Sequence, residues 1–396
     1  MKKTYIAIGA SAASIGALTK LRTLDGQATI ICVTAEKEMP YNRCLLADYL
    51  AGIKTVDDVA TKKIDFFTSN NIALMLDSKV VKINPNEHNI TLHTGEQLHY
   101  DKLFIGAGRS TAIPKIPGAD RAGVFPFYDL KDVTALLNFI KERKPRHAVV
   151  IGAGFSGVEC ADALTHHDIA VTLVERAGHI LPYQIDKDGS QLLIDIMKPK
   201  NVTVLTNTSV QEIVGDQHVS SVMLTSGQTI PCDMVIFAIG GITNSWLARE
   251  AGLEILGNGI KIDQFMQTSD SDIFAGGDIC MVTDVLTNKP VQSCLWTDAI
   301  MQGMAAAHGM VDQPKPYAGT LVVTSSHIFD TTFVTSGPVW HPSHGFEEII
   351  RRGENFYHKF LVHDKKLKGF MMIGNVDNVG ALRKQLLTQS EFLIPE

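Results

Sequence analysis

The chain has 396 residues, 45 % of them hydrophobic and 20 % charged, with a formal net charge of −6 at pH 7. A domain takes roughly 100–200 residues, so this length predicts two or three domains and more than one core. The mild negative charge argues against nucleic acid as a partner, and the lack of any run of about 18 apolar residues argues against a membrane-spanning helix.

Cys32, Cys44, Cys160, Cys232, Cys280 and Cys294 form no C-x-x-C pair and no clustered Cys/His set. No metal, iron–sulfur cluster or disulfide framework is therefore expected, and the composition reads as that of a cytoplasmic enzyme.

In chain order, Met1-Lys2-Lys3 before an apolar run could open a signal peptide, but a glycine loop inside that run is the pattern of a nucleotide fold's first strand. The strand 5–8 ends in Gly9-Ala10-Ser11-Ala12-Ala13-Ser14, a helical pattern follows, and a second strand, 28–33, is closed by Glu36. A helical stretch is predicted over 56–70, short strands near 73–83 and 89–94, and a strand at 102–105 ended by Gly106-Ala107-Gly108. The Pro- and Gly-rich segment 111–118 reads as a crossover.

A second nucleotide unit follows, with strands near Val149, Thr172, Val202, Ser221 and Met234. The first of these ends in Gly152-Ala153-Gly154-Phe155-Ser156-Gly157, the second in Glu175, and the last in Ile239-Gly240-Gly241. The chain then returns to the first unit, where Ile273-Phe274-Ala275-Gly276-Gly277-Asp278 is another apolar strand ended by glycine and an acid, and a helix is expected over 299–307. Beyond Pro314-Lys315-Pro316 lie strands around 321–324, 332–336, 357–363 and 369–374, and a helix over 378–388.

The expected class is α/β with two Rossmann-like dinucleotide-binding domains, one interrupted by the other. Residues 1–112 with 242–315 form the first and 113–241 the second, followed by a small C-terminal α+β domain, 316–396.

In a G-x-G-x-x-G loop the glycines allow a tight turn, close approach to a pyrophosphate, and close helix–strand packing. Two strand–loop–helix–strand–acid units in one chain imply two dinucleotides, a flavin nucleotide and a nicotinamide nucleotide. Gly9, Ser11, Ala12 and Ala13 would cradle the first, and Gly152, Gly154 and Gly157 the second. Glu36 and Glu175 are placed to bind ribose hydroxyls. A carboxylate there also repels a 2′-phosphate, so Glu175 favours NADH over NADPH, and Arg176 beside it works the other way. Ser11 and Ser14 stand where two glycines would, and either would be strained if its φ were positive.

The chain resembles the FAD-dependent pyridine nucleotide-disulfide oxidoreductases, and most of all the NADH:rubredoxin reductase group and the N-terminal part of NADH nitrite reductases. The motifs that carry this are the first loop with Glu36, Pro40-Tyr41-Asn42-Arg43, the segment 100–108, the second loop with Glu159, and the segments 268–278 and 369–383. The resemblance implies FAD on the first unit and NADH on the second. It places Arg43, Val80, Ala107, Gly108, Glu159, Asp278 and Trp296 among the FAD contacts and Gly240 among those to NAD. Relatives often pair the acid equivalent to Glu159 with a Lys at the position of Asp48, so Glu159 is expected to pair elsewhere.

The implied activity is transfer of electrons from NADH through FAD to a rubredoxin-like carrier or another small redox acceptor, by a monomer or homodimer. The tail's basic stretch, Arg351, Arg352, Lys359, Lys365, Lys366 and Lys368, either steers an acidic carrier or is an ordinary solvated face. Cys44 is either a redox thiol beside Arg43 or a small buried hydrophobe. Packing is favoured by three features: no second Cys four or five residues away, no His in the first loop, and a short tail. Two alternatives stand: a Cys44-dependent NADH reductase of small disulfides, persulfides or oxygen, and a flavin-binding regulatory protein. The remaining cysteines are expected to be structural.

Overall fold

The computed structural model describes residues 2–340 and 345–394. The chain divides into two compact units, Met1–Cys44 with Val56–Ser110 and Ile242–Thr320, and Leu45–Thr55 with Thr111–Gly241 and Leu321–Glu396.

The first unit is built on a five-stranded parallel sheet in the order Ile273–Ala275, Lys102–Ile105, Thr4–Ile8, Thr29–Val33, Ile72–Met75. Its strands are nearly continuous runs of Ile, Val, Phe and Ala, as burial on both faces requires. One face is covered by the helices Ala12–Leu24 and Trp296–Met310, which pack main chain against main chain. A Cβ on Gly303 would lie 1.9 Å from the Ala13 carbonyl oxygen, and one on Gly16 would lie 2.4 Å from that of Ile300.

The helical stretch predicted over 56–70 is two short helices, Val56–Val59 and Ile64–Ser69. Between them Thr61 donates both its N–H and its hydroxyl to the Pro40 carbonyl, which holds the turn that carries Arg43. The strand predicted near 73–83 is also two. Ile72–Met75 ends the parallel sheet, and Val80–Asn84 starts a separate antiparallel one with Asn89–Leu92 and Gln97–His99. The break falls where Asp77 takes φ +49° and its N–H donates to the Glu36 carbonyl.

The second unit repeats the first sheet's plan: Val202–Leu205, Ala170–Val174, His147–Ile151, Met234–Phe237, Val124–Pro126, all parallel. It also contains the C-terminal segment, expected as a domain of its own. There five antiparallel strands, in the order Val323–Ile328, Thr331–Ser336, Lys366–Ile373, Tyr357–His363, Glu347–Arg352, carry the helix Val379–Thr388.

The attachment is partly ionic. Asp186 caps the helix Lys187–Met197 by accepting from Gly189 N at 2.9 Å, and also accepts from Tyr357 Oη at 3.0 Å and Lys359 Nζ at 3.1 Å. Lys359 is 4 % exposed and pairs with Glu348 as well. Breaking such a buried pair costs about 3–5 kcal/mol, because the charge left behind has no partner. The strands missed in the sequence, such as Val124–Pro126 and Glu347–Arg352, are short or polar edge strands that lack the apolar run of the central ones.

Gly303→Ala should cost at least 1–3 kcal/mol, the usual range for overpacking, because main chain cannot give way at 1.9 Å. Gly380→Ala has open space around its Cβ on the helix Val379–Thr388 and should be neutral or stabilising by about 0.4–1 kcal/mol. Thermal melts of both variants check this; equal midpoints would contradict the tight helix crossing.

Candidate functional site

In the first unit the glycine loop, Gly106–Gly108 and Gly276–Asp278 all follow the C-terminal ends of parallel strands, which is where open α/β sheets bind ligands. Gly9 has φ +94°, and a Cβ there would meet the Gly106 carbonyl oxygen at 2.4 Å. Neither serine in the loop is strained. Ser11 is the helix N-cap at φ −97°, and Ser14 lies within the helix. Room for Ser14 comes from the neighbouring strand end, because a side chain on Gly106 would meet Ser14 Oγ at 2.3 Å. No side chain caps the helix Ala12–Leu24, and the buried Ser14 hydroxyl has no hydrogen-bond partner. The loop's polar groups are thus available to an anionic ligand such as a pyrophosphate.

Around this loop lie the charged side chains. Arg43 Nη2 donates to Glu36 Oε1 at 2.5 Å, and the Arg43 guanidinium sits 5.1 Å from the Tyr41 ring centroid. Burial raises the Asp278 carboxyl above its ordinary range, with Arg109 and Arg43 opposing. Ala107 and Gly108 are fixed by Asn244, whose Nδ2 donates to the Ala107 carbonyl at 2.8 Å and whose N–H donates to that of Gly108 at 3.0 Å. Trp296 opens its helix and packs partly buried against the first unit's core. Val80 is 6 % exposed and packs into the core from the first position of the antiparallel strand Val80–Asn84.

Two side chains here were not singled out in the sequence. Arg109 directly follows the Gly106–Gly108 turn, and fully buried Gln302 accepts from Gly277 N at 2.7 Å and donates to Asp298 at 3.0 Å. The signal for Gln302 was its spacing of four from Asp298 on one helix face.

Two cysteines depart from expectation. Cys44 is exposed on the single turn Arg43–Leu45 and does not fill a core position. Cys294 also keeps exposed surface, with φ +49° and Arg109 Nη1 at 3.8 Å from its sulfur, so it does not fill a core position. Burial of the sulfur near Asp278 pushes its thiol up to about 11. Cys32, Cys160, Cys232 and Cys280 are buried, as expected.

In the second unit Gly152 has φ +100°, and a Cβ on Gly157 would lie 1.8 Å from the Gly152 carbonyl oxygen, so this loop needs its third glycine. Gly154 is the N-cap of the helix Phe155–Thr165 and offers no side chain, which leaves the first amides available. Gly240, at φ +88°, ends the neighbouring strand with open space around it. The Glu175 carboxylate accepts from Ala153 N and from Ala177 N, each at 2.7 Å, so it braces the loop itself. Thr208 follows the adjacent strand with a buried hydroxyl lacking a partner, and nothing in its neighbouring residues marks it as a site residue.

Glu159 lies on the same helix and accepts from Ser326 Oγ at 2.7 Å. The tail's basic stretch is largely engaged: Lys359 is buried, Arg352 pairs with Asp188, and Lys368 donates to Gln389. Among the described residues no group of His, Cys, Asp or Glu is placed to hold a metal ion, and no helix is long and apolar enough to cross a membrane.

The family model described as pyridine nucleotide-disulphide oxidoreductase matches residues 3–308. An NADH oxidase of Methanocaldococcus jannaschii is 30 % identical over 331 residues, 82 % of this chain and 74 % of that protein. An assimilatory nitrate reductase electron transfer subunit of Bacillus subtilis is 27 % identical over 99 % of this chain, which spans only 50 % of that protein's length. Among solved structures, a NAD-dependent persulfide reductase from A. fulgidus superposes with a TM-score of 0.90 at 25 % identity, over 98 % of this chain and 77 % of that one.

Replacing Asp278 or Glu36 by Ala removes a charged acceptor from the first loop's surroundings, worth roughly 1.5–3 kcal/mol each to a ligand that donates to it. Both purified variants should lose flavin absorbance on dialysis under conditions in which the parent keeps it. Full retention in both would refute the assignment of the flavin to this loop.

Proposed function

The chain belongs to the pyridine nucleotide-disulphide oxidoreductase family, and we propose that it is an FAD-dependent enzyme that takes electrons from NADH and passes them to a small electron-carrier protein. The observation that carries this reading is the duplicated site: two five-stranded parallel sheets whose four strands around the glycine loop follow the same order, each loop opening a helix that no side chain caps, with a carboxylate just past the next strand. The similarity to an electron transfer subunit supports a carrier as acceptor. Dependence on NADH suits a cytoplasmic location.

When bound, FAD would accept a hydride from NADH and release electrons to the acceptor. The chain's own part is to bind and orient. The first loop's amides and Arg43 would hold FAD phosphates, and Asp278 would accept from a ribityl hydroxyl. The N-terminal amides of the helix Trp296–Met310 would favour negative charge beside them. On the second unit the loop amides would take the NADH pyrophosphate. Glu175, with a lone pair left on each oxygen, would accept from the adenosine ribose while bracing Ala153. Positioning supplies most of the rate, so little acid–base machinery is needed.

Exposed Cys44 supports a second reading, a Cys44-dependent reductase of small disulfides or persulfides, in line with the likeness to a persulfide reductase. There the Cys44 thiolate would attack one sulfur of the acceptor's S–S bond and expel the other as a thiolate or hydrosulfide, and two electrons from NADH with a proton would then reduce the resulting mixed disulfide to the Cys44 thiolate and the second thiol.

NADH should exceed NADPH in kcat/KM, and Glu175→Ala should erode the preference, each tenfold being about 1.4 kcal/mol. Equal use of both by the parent protein would count against the role of Glu175. To separate the two readings, Cys44→Ser should keep NADH–ferricyanide activity within a few-fold of the parent, and both proteins should take up two electrons per FAD in an anaerobic dithionite titration. A second electron pair seen only in the parent would move the protein to the thiol-dependent reading.

A further inference from the structure

Glu159 sits four residues past the start of the helix Phe155–Thr165, about 6 Å along its axis at 1.5 Å per residue. Glu159 therefore stands one turn into the helix whose first amides close the second glycine loop. The helix Leu46–Leu50 packs on the same helix and brings Asp48 towards it, held there by His167 Nε2 donating to the Leu50 carbonyl at 2.5 Å. The charged groups acting on Glu159 are thus Asp48 from that helix and Asp162 from its own, both of the same sign as itself. Its hydrogen-bond donor is the Ser326 hydroxyl, at 2.7 Å, from the strand Val323–Ile328 of the C-terminal segment.

We propose that Ser326 is a positioning residue for the nicotinamide nucleotide site, holding Glu159 as a carboxylate that favours the cationic, oxidised nicotinamide over the neutral, reduced one. A hydrogen bond donated to a carboxylate favours its ionised form. Burial and the two neighbouring acids push the Glu159 carboxyl up, and Ser326 pulls it back down. Ionised Glu159 attracts a positive ring and leaves a neutral one indifferent, so the preference for NAD+ should switch on as pH rises through the Glu159 titration. The inference rests on the reading that the second loop binds NAD(H).

The test uses the full chain with its bound flavin and measures Kd for NAD+ and for tetrahydro-NADH, a neutral-ring analogue that transfers no hydride, upward in pH from the ordinary carboxyl range for as long as the protein stays folded. In the parent the ratio of the two Kd values should titrate with one midpoint. Ser326→Ala should move that midpoint up by about one pH unit, a tenfold change in proton affinity. Ser326→Thr should restore it, Asp48→Asn should lower it, and Glu159→Gln should leave the ratio flat. A midpoint unmoved by Ser326→Ala and Asp48→Asn, or a ratio that still titrates in Glu159→Gln, overturns the inference while leaving the nucleotide assignment intact. Failure of the parent to bind either nucleotide overturns the assignment, and the inference with it.

Discussion

Each nucleotide loop is closed by a main-chain oxygen lying where a side chain would otherwise stand. Gly9 faces the Gly106 carbonyl in the first unit, and Gly152 faces that of Ala238 in the second, at 2.6 Å from an added Cβ. That closeness brings the loop against the neighbouring strand end and turns the helix amides outward, where they can meet phosphate oxygens. The rest of each site depends on it. Glu175 can reach Ala153 N, and Gln302 can reach Gly277 N, only because the strand ends and the loop share one narrow edge of the sheet.

The two units solve the same steric problem differently. In the second, Gly157 must be glycine because its own loop carbonyl leaves no space, and the complete motif was legible for that reason. In the first, Ser14 occupies that position and the glycine has moved to residue 106, on another strand. A motif read along the chain registers this as a defect. Read across the sheet, it is the same clearance supplied from the opposite side. The positive φ that would have strained a serine falls on Gly9 alone, within residues that need none of the serine's chemistry.

The sequence revealed the parallel strands, their order of appearance and the acids that close them, because buried strands and glycine turns leave local signals. It did not reveal the partnerships made across long stretches of chain. Lys359 reads as part of a basic face, yet it is buried on Asp186 and Glu348, and those contacts join the C-terminal segment to the second unit. Cys44 and Cys294 each precede two apolar residues in the sequence, and both residues keep exposed surface. Exposure there is set by backbone turns, the single turn at Arg43–Leu45 and the left-handed Cys294, which composition does not encode. Ser326 had no local signal at all, since its meaning comes from Glu159, 167 residues away.

Charge is handled differently at Asp278 and Glu159, two of the carboxylates that burial raises. Asp278 has Arg43 and Arg109 opposing its desolvation, an environment suited to an anion that must accept hydrogen bonds beside a phosphate-bearing ligand. Among the described residues, Glu159 has two acids and one neutral hydroxyl acting on it and no positive charge. A cation arriving from outside is then the strongest electrostatic partner it can find. An oxidised nicotinamide carries such a charge and a reduced one does not, and that difference is what the proposed role of Glu159 draws on.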